Sequence, residues 1–342
     1  MFLENIVIFC RGMMILNKRV IFRADGNSRI GYGHFVRTLG LAELINQEFN
    51  CIYATQKPTE YQLNEIHKFC TEVIELSDND DHYQEFLDYL DEGDIVVLDN
   101  YFFTSEYQTK IREKGCKLIY IDDHNDKDYV CDALINNIPG FAYNSFRKRS
   151  YTKLYLGTNY ALLRKEFFNS KYRSIKKKPN TVFMSFGGAD FFNISEKIVS
   201  FLNEIGSFSE INLLIGDAYK FFPSLEKFKN LKIHKNINAD EVALLIAGSD
   251  ICIVPASSLL NETASVGSKI LVGYFAENQI QPYNHFVDNN LAIGVGDYRN
   301  VDFNSFKTKI KEVMESSFLI ENQKKVYNYQ QYANLKKVFY DL

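Results

Sequence analysis

The sequence predicts an α/β protein made of two doubly wound parallel-sheet domains facing a cleft. Short β-branched and aromatic runs alternate with helix-length amphipathic segments along the chain. These runs are apolar on both faces, as strands of a sheet covered on both sides must be. The 342 residues leave room for two cores at about 100 to 200 residues per domain. The densest basic run, Arg173 to Lys178 with its Lys176-Lys177-Lys178-Pro179 end, separates two patterned halves and reads as a solvated linker. The expected domains are therefore residues 1–172 and 173–342, and the helical stretch from about Glu312 is expected to dock back on the first of them.

In the first half the expected strands are Arg19 to Arg23, Cys51 to Ala54, Glu72 to Leu76, Asp94 to Asp99, Lys117 to Asp122 and Lys153 to Leu156. After the basic run come Thr181 to Phe186, Ile211 to Ile215, Leu231 to His234, Asp250 to Val254, Ile270 to Tyr274 and Leu291 to Val295. No internal repeat is strong enough to demonstrate duplication. Ligands of such sheets bind beyond the carboxyl ends of the strands, so the loops after Arg23, Asp99, Asp122, Phe186, Val254 and Tyr274 are the places to look for chemistry.

Composition narrows the partners. There are 39 Lys and Arg against 43 Asp and Glu, a net charge of -4, so a nucleic-acid partner that needs a concentrated basic face is not expected. Cys10, Cys51, Cys70, Cys116, Cys131 and Cys252 show no CxxC spacing and lie in or beside apolar stretches, as in a reducing cytoplasm. Ile6 to Cys10 is too short to span a membrane, and Arg11 and Lys18 follow it in the wrong order for a signal peptide. No stable membrane association is expected. Met13 and Met14 precede a strand-like start, so the first dozen or so residues read as an extension or an overcalled start.

Several loops could carry chemistry. The first strand ends at Asp25, Gly26 to Gly33 form a flexible loop, and His34 opens a helix whose Phe35, Leu39, Ala42, Ile45 and Phe49 keep helical spacing. At a helix N-terminus the exposed N–H groups disfavour imidazolium and keep the ring neutral, as a base requires. Gly31 and Gly33 allow close backbone approach to a ligand, though a plain turn accounts for the same residues. In the second half, Gly187 and Gly188 of Ser185-Phe186-Gly187-Gly188-Ala189-Asp190 sit between strand and helix and resemble a diphosphate cradle; a tight turn is the alternative. Ser257 and Ser258 could cap the next helix or hold phosphate oxygens, while Glu262, one turn in, could accept both hydroxyls of a ribose or simply favour the first turn. Asn278 and Gln279 carry amides suited to sugar hydroxyl and acetamido groups. Asp122-Asp123-His124 is the one cluster resembling metal ligands, and it lacks a spaced partner set. His67, His82 and His234 lie in ordinary structural or solvated contexts.

Taken in order, Gly31-Tyr32-Gly33-His34-Phe35-Val36-Arg37, Asp99-Asn100-Tyr101, Ser185 to Asp190, Ser257 to Glu262 and Ala276-Glu277-Asn278-Gln279 resemble the UDP-2,4-diacetamido-2,4,6-trideoxy-β-L-altropyranose hydrolases of pseudaminic acid synthesis. The similarity runs from about Arg19 to about Gly296, each motif weak alone and five in register fairly specific. That family is similar in fold to the two-Rossmann-domain (GT-B) glycosyltransferases. The resemblance implies an enzyme without metal or other cofactor that cleaves the sugar–phosphate bond of a UDP-sugar by water attack at the anomeric carbon with inversion. It also implies His34 as the essential histidine and Tyr101 as a tyrosine of the sugar pocket. Glu262 would be a ribose-binding acid and Asn278 and Gln279 the loop near the sugar. Asp25, Gly31, Gly33, Arg37, Gly187, Gly188, Asp190, Ser257, Ser258 and Asn261 complete the expected substrate contacts. Asn100 and His124 depart from the family pattern, which bears on the sugar more than on the reaction. A GT-B glycosyltransferase, a hydrolysing UDP-sugar 2-epimerase and a nucleotide-sugar sensor are the competing readings.

Overall fold

Two sheets, both wholly parallel, carry the computed structural model, which describes residues 18–27, 30–216 and 218–342. Cys10, the Ile6 to Cys10 run, Arg11, Met13 and Met14 lie outside the described residues. The first sheet uses β1 (Arg19–Ala24), β2 (Asn50–Gln56), β3 (Glu72–Leu76), β4 (Ile95–Asp99), β5 (Lys117–Ile121), β6 (Ala133–Asn136) and β7 (Lys153–Leu156). The second uses β8 (Lys178–Met184), β9 (Glu210–Ile215), β10 (Leu231–Lys235), β11 (Ser249–Pro255), β12 (Lys269–Tyr274) and β13 (Ile293–Asp297).

Their orders are β3-β2-β1-β4-β5-β6-β7 and β10-β9-β8-β11-β12-β13. Both are one plan: the first strand sits inside, the next two build outward on one side, and the fourth returns to the other side. That reversal between β1 and β4, and between β8 and β11, is where doubly wound sheets bind ligands. The expected strands are present, with shifted ends, and β6 is an addition. Ala133-Leu134-Ile135-Asn136 is fully buried but only four residues long, so it shows no period from which to recognise a strand.

The helices of the first sheet are α1 (Gly33–Ile45), α2 (Glu60–Ile66), α3 (Asp81–Tyr89) and α4 (Ser105–Glu113). Those after β8 are α5 (Ile194–Ile205), α6 (Phe222–Leu225), α7 (Ala239–Gly248), α8 (Ser258–Val266), α9 (Ile280–Asp288), α10 (Phe303–Glu315), α11 (Phe318–Val326) and α12 (Gln330–Tyr340). Each sheet has its own apolar core. Ile21, Val96, Leu98, Leu118 and Leu134 belong to one, and Val182, Met184, Leu213, Ile253 and Leu271 to the other. Cys51, Cys70, Cys116, Cys131 and Cys252 are buried free thiols, and burial pushes Cys51 up to about 12.

The chain divides into two units, one holding the described residues up to Asn137 with Phe141–Leu162 and Tyr332–Leu342, the other Ile138–Gly140 and Leu163–Gln331. The division falls ahead of the expected break at 172/173, because the stretch before β8 is bonded to the second unit. Lys171 Nζ donates to Asp240 Oδ1 at 3.0 Å, the Tyr172 hydroxyl donates to the same oxygen, and Arg173 Nε donates to the Ser265 carbonyl at 2.9 Å. Lys177 Nζ lies 3.4 Å from the carbonyls of Ala247 and Ser249, and burial lowers its pKa. Lys178 already belongs to β8. Arg173 and Lys177 of the basic run are thus bonded into the second unit rather than solvated, while Lys176 and Lys178 stay exposed. The last eleven residues group with the first unit, where Phe339 lies 6.5 Å from the Phe22 ring and 6.0 Å from Phe49.

Candidate functional site

In the first unit, the pairing of Ala24 with Asp99 brings the ends of β1 and β4 side by side. The chain leaves β1 through a turn closed by the Gly31 N–H donating to the Asn27 carbonyl at 2.8 Å. Gly31 stands there at φ +81, a left-handed conformation that glycine adopts without steric cost. α1 then starts at Gly33; its N-cap, Tyr32, supplies no side-chain bond, and its first turn holds no acid. His34 and Arg37 are three residues apart on this helix and share a face. Both are buried, and both point at Asp99.

Asp99 is fully enclosed and gathers these groups. His34 Nδ1 lies 2.7 Å from its Oδ1, while Arg37 Nε and Nη2 donate to Oδ2 and Oδ1 at 2.5 and 2.6 Å. Burial alone would push the Asp99 carboxyl up, but Arg37 and His34 outweigh it and hold it below the usual range. An ionised Oδ1 at that distance needs a proton on Nδ1, since two lone pairs would repel. Arg37 Nη2 is 3.2 Å from the same ring nitrogen, which is the third side of a triangle in which both nitrogens donate to one oxygen. The tautomer so fixed leaves the basic lone pair on Nε2.

The loops after β4 and β5 complete the cluster. Arg37 Nη1 donates to Asp123 Oδ2 at 2.6 Å, and the Tyr101 hydroxyl donates to the same oxygen at 3.3 Å. The Tyr101 ring is 44% exposed. It packs edge-to-face on His34, with centroids 4.7 Å apart, and on His124 at 4.4 Å. Asp25 is buried, its Oδ1 accepting from Arg23 Nη1 at 2.7 Å, Thr55 Oγ1 at 3.1 Å and the Gln56 N–H at 2.8 Å. Its own N–H donates to Asn100 Oδ1 at 2.8 Å. Asp25 therefore ties β1 to β2 and to the loop bearing Tyr101. His82, expected to be structural or solvated, is the buried partner of Arg23, with Nδ1 3.1 Å from Nη2.

In the second unit the strand ends are organised by backbone. Gly187 turns at φ +85, and a Cβ on Gly216 would stand 2.6 Å from the Gly188 Cα, so two chain segments touch at that point. Helix α5 does not follow the glycines directly. Its first amides are taken by Asp190, whose carboxylate accepts from the Ile194 and Ser195 N–H groups at 2.9 and 2.7 Å. Burial raises the Asp190 pKa against the lowering effect of those bonds. The start of α5 is thus occupied by the chain's own acid, contrary to a cradle made by that helix.

The start of α8 differs. Its N-cap Ser257 makes no side-chain capping bond, no acid lies in the first turn, and Ser257 and Ser258 are half-buried. Its N–H groups and positive dipole end are suited to an anion. One turn on, buried Glu262 is gripped by Arg164, with Nε on Oε1 and Nη2 on Oε2, both at 2.8 Å. Oε1 also accepts from the Arg164 backbone N–H at 3.4 Å, so the acceptor direction left for a further donor is chiefly on Oε2. Asn261 Oδ1 accepts from the Tyr327 hydroxyl at 2.6 Å, tying α8 to the end of α11, and Gln279 Oε1 accepts from the Phe275 N–H at 3.0 Å, bracing its own loop. Asn278 is exposed.

The structure therefore brings His34, Arg37 and Tyr101 together in one unit, and Gly187, Gly188, Ser257, Ser258 and Glu262 at the strand ends of the other. Arg164 is the functional candidate absent from the sequence reading; Asp99 and Asp123 stand there only within their motifs, without the pairing to His34 and Arg37. An acid ending a wholly apolar strand, as Asp99 does, was the available signal. Among the described residues no group of three or more His, Cys, Asp or Glu is placed to hold a metal ion, and no helix is long and apolar enough to cross a membrane.

No protein-family model matches the chain. It is 28% identical over 277 residues to the UDP-2,4-diacetamido-2,4,6-trideoxy-β-L-altropyranose hydrolase of Campylobacter jejuni, covering 76% of this chain and 93% of that protein. It is 26% identical over 286 residues to the spore coat polysaccharide biosynthesis protein SpsG of Bacillus subtilis, covering 80% and 82%. An uncharacterized protein of Methanocaldococcus jannaschii is 28% identical over 285 residues; there the match takes in 79% of this chain but only 58% of the relative's length. Among solved structures, MurG of Acinetobacter baumannii matches with a TM-score of 0.62 at 13% identity, covering 94% of this chain and 99% of that one. Arabidopsis thaliana UGT89C1 with UDP matches with a TM-score of 0.63 at 14% identity, covering 95% and 99%. The resemblance drawn from the motifs thus extends over most of the chain, and the fold is GT-B-like.

Proposed function

We propose that this chain hydrolyses a UDP-linked diacetamido-trideoxyhexose to free sugar and UDP, as a step of nonulosonic acid synthesis. His34 Nε2 takes a proton from water as the water oxygen bonds to the anomeric carbon. The bond from that carbon to the phosphate oxygen breaks, its electron pair leaving with UDP, and a single displacement inverts the configuration. UDP leaves readily, so a separate acid is dispensable. The observation that carries the reading is the Asp99–His34 pair, with Nδ1 on the carboxylate at 2.7 Å and Nε2 left basic.

The second unit is assigned the nucleotide. The N–H groups of Gly187 and Gly188 and the start of α8 at Ser257 and Ser258 would meet the growing phosphate charge. Glu262, oriented by Arg164, would accept the ribose hydroxyls. Tyr101 and Asn278 are assigned to the sugar. The reading calls for no metal. The similarity to the Campylobacter jejuni hydrolase supports this reaction over transfer.

The test is incubation with a panel of UDP-diacetamido sugars in H₂¹⁸O without acceptor, followed by NMR and mass spectrometry. Free sugar of inverted anomeric configuration, labelled at the anomeric oxygen, is the expected product. UDP released only at background rate would replace hydrolysis with transfer, and deuterium appearing at C2 in D₂O would replace it with epimerisation.

A further inference from the structure

Arg37 serves two carboxylates at once. Its Nε and Nη2 grip Asp99, and its Nη1 donates to Asp123 Oδ2 at 2.6 Å. All three side chains are at least nine-tenths buried, with relative exposures of 6%, 0% and 8%. With both acids ionised, one guanidinium balances one of the two negative charges, and the surplus lies on the acid pair beside His34. The other polar or titratable groups facing the cluster are Tyr101, from the loop after β4, His124, which packs on Tyr101, the carboxyl of Asp122 beside Asp123, and the buried hydroxyls of Tyr53 and Tyr120 on the Asp99 side.

We propose that Asp123 is a positioning residue of the reaction: by drawing on Arg37, it leaves the Asp99 charge free to stabilise the imidazolium that His34 becomes. Arg37 alone with Asp99 would form a neutral pair and give a cation on His34 little support. With Asp123 on its far nitrogen, the guanidinium is shared and the buried cluster keeps a net negative charge. Asp123 touches no reacting atom in this scheme. It acts through Arg37 and Asp99, and the inference rests on His34 being the base.

Asp123→Asn tests the charge while keeping an acceptor for Arg37 and Tyr101. The expected result is a kcat lowered about 10-fold, KM within about twofold, and an acid limb of kcat/KM moved to lower pH by about half to one unit. In the ligand-free protein the His34 ring signals should titrate at correspondingly lower pH by NMR. Asp123→Glu should restore much of the rate, and Tyr101→Phe should leave the limb in place. A limb and ring titration unmoved in a folded Asp123→Asn protein, checked by circular dichroism, overturn the inference. The two failures differ: His34→Ala with near-normal turnover removes the base itself, whereas inactive His34→Ala beside an unmoved Asp123→Asn titration removes only the role of Asp123.

Discussion

The two sheets share one strand order and one crossover point, yet their strand ends are furnished differently. In the first unit, long ionisable side chains meet one another: His34, Arg37, Asp99 and Asp123 form a chain of charged bonds. In the second unit, backbone is prominent: Gly188 touches Gly216, and α8, like α1, begins without a side-chain cap. Asp190 and Gln279 there bond to the backbone of their own segments, and Asn261 takes the Tyr327 hydroxyl. The same topology therefore carries two kinds of strand end, and in the proposed reaction the charge cluster is assigned the proton and the amide ends the phosphate.

Substitutions sharpen this contrast, starting with the largest effect. His34→Ala should lower kcat at least about 100-fold with little change in UDP affinity, the scale for a lost general base; near-normal turnover would remove the first unit from the chemistry. Asp99→Asn should lower kcat by about 100-fold too, because the neutral amide stabilises imidazolium poorly and loosens the tautomer. Equal turnover with aspartate or asparagine would reduce that carboxylate to packing. Glu262→Gln, which retains bulk beside Arg164, should raise KM and weaken UDP binding by about 10-fold at nearly constant kcat, since ribose contacts serve ground and transition states alike. Calorimetry with UDP is the direct check, and unchanged affinity would unseat the ribose assignment. Gly216→Ala should cost about 1–3 kcal/mol of stability through its clash with the Gly188 backbone, measured by denaturant unfolding. Chelation by EDTA should leave the rate unchanged; a loss restored by Mg²⁺ would mean that amides do not suffice for the diphosphate.

Much of the frame was legible in sequence, because buried parallel strands are written as continuous apolar runs. Thr181 to Phe186 and Ile270 to Tyr274 needed no partner to be seen. Two kinds of feature were hidden. One is the short strand β6, whose four residues lack a period. The other is long-range pairing: His34 and Asp99 are 65 residues apart in sequence, and only the β1–β4 register joins them. Asp190 shows a third limit. Placed beside two glycines it reads as part of an anion loop, but α5 starts four residues later and takes that acid as its cap.

The grouping of Tyr332–Leu342 with the first sheet also bears on how the protein could be dissected. Cutting the gene between the units yields unequal halves. A fragment of residues 163–331 would lose its contacts with Ile138–Gly140, such as the Gln281 bond to the Pro139 carbonyl, whereas a fragment ending at Leu162 would bare Phe22 and Phe49 and leave Glu48 without Lys336. The tail added back as a free peptide would supply the missing wedge, which makes this helix a natural handle for split-protein complementation.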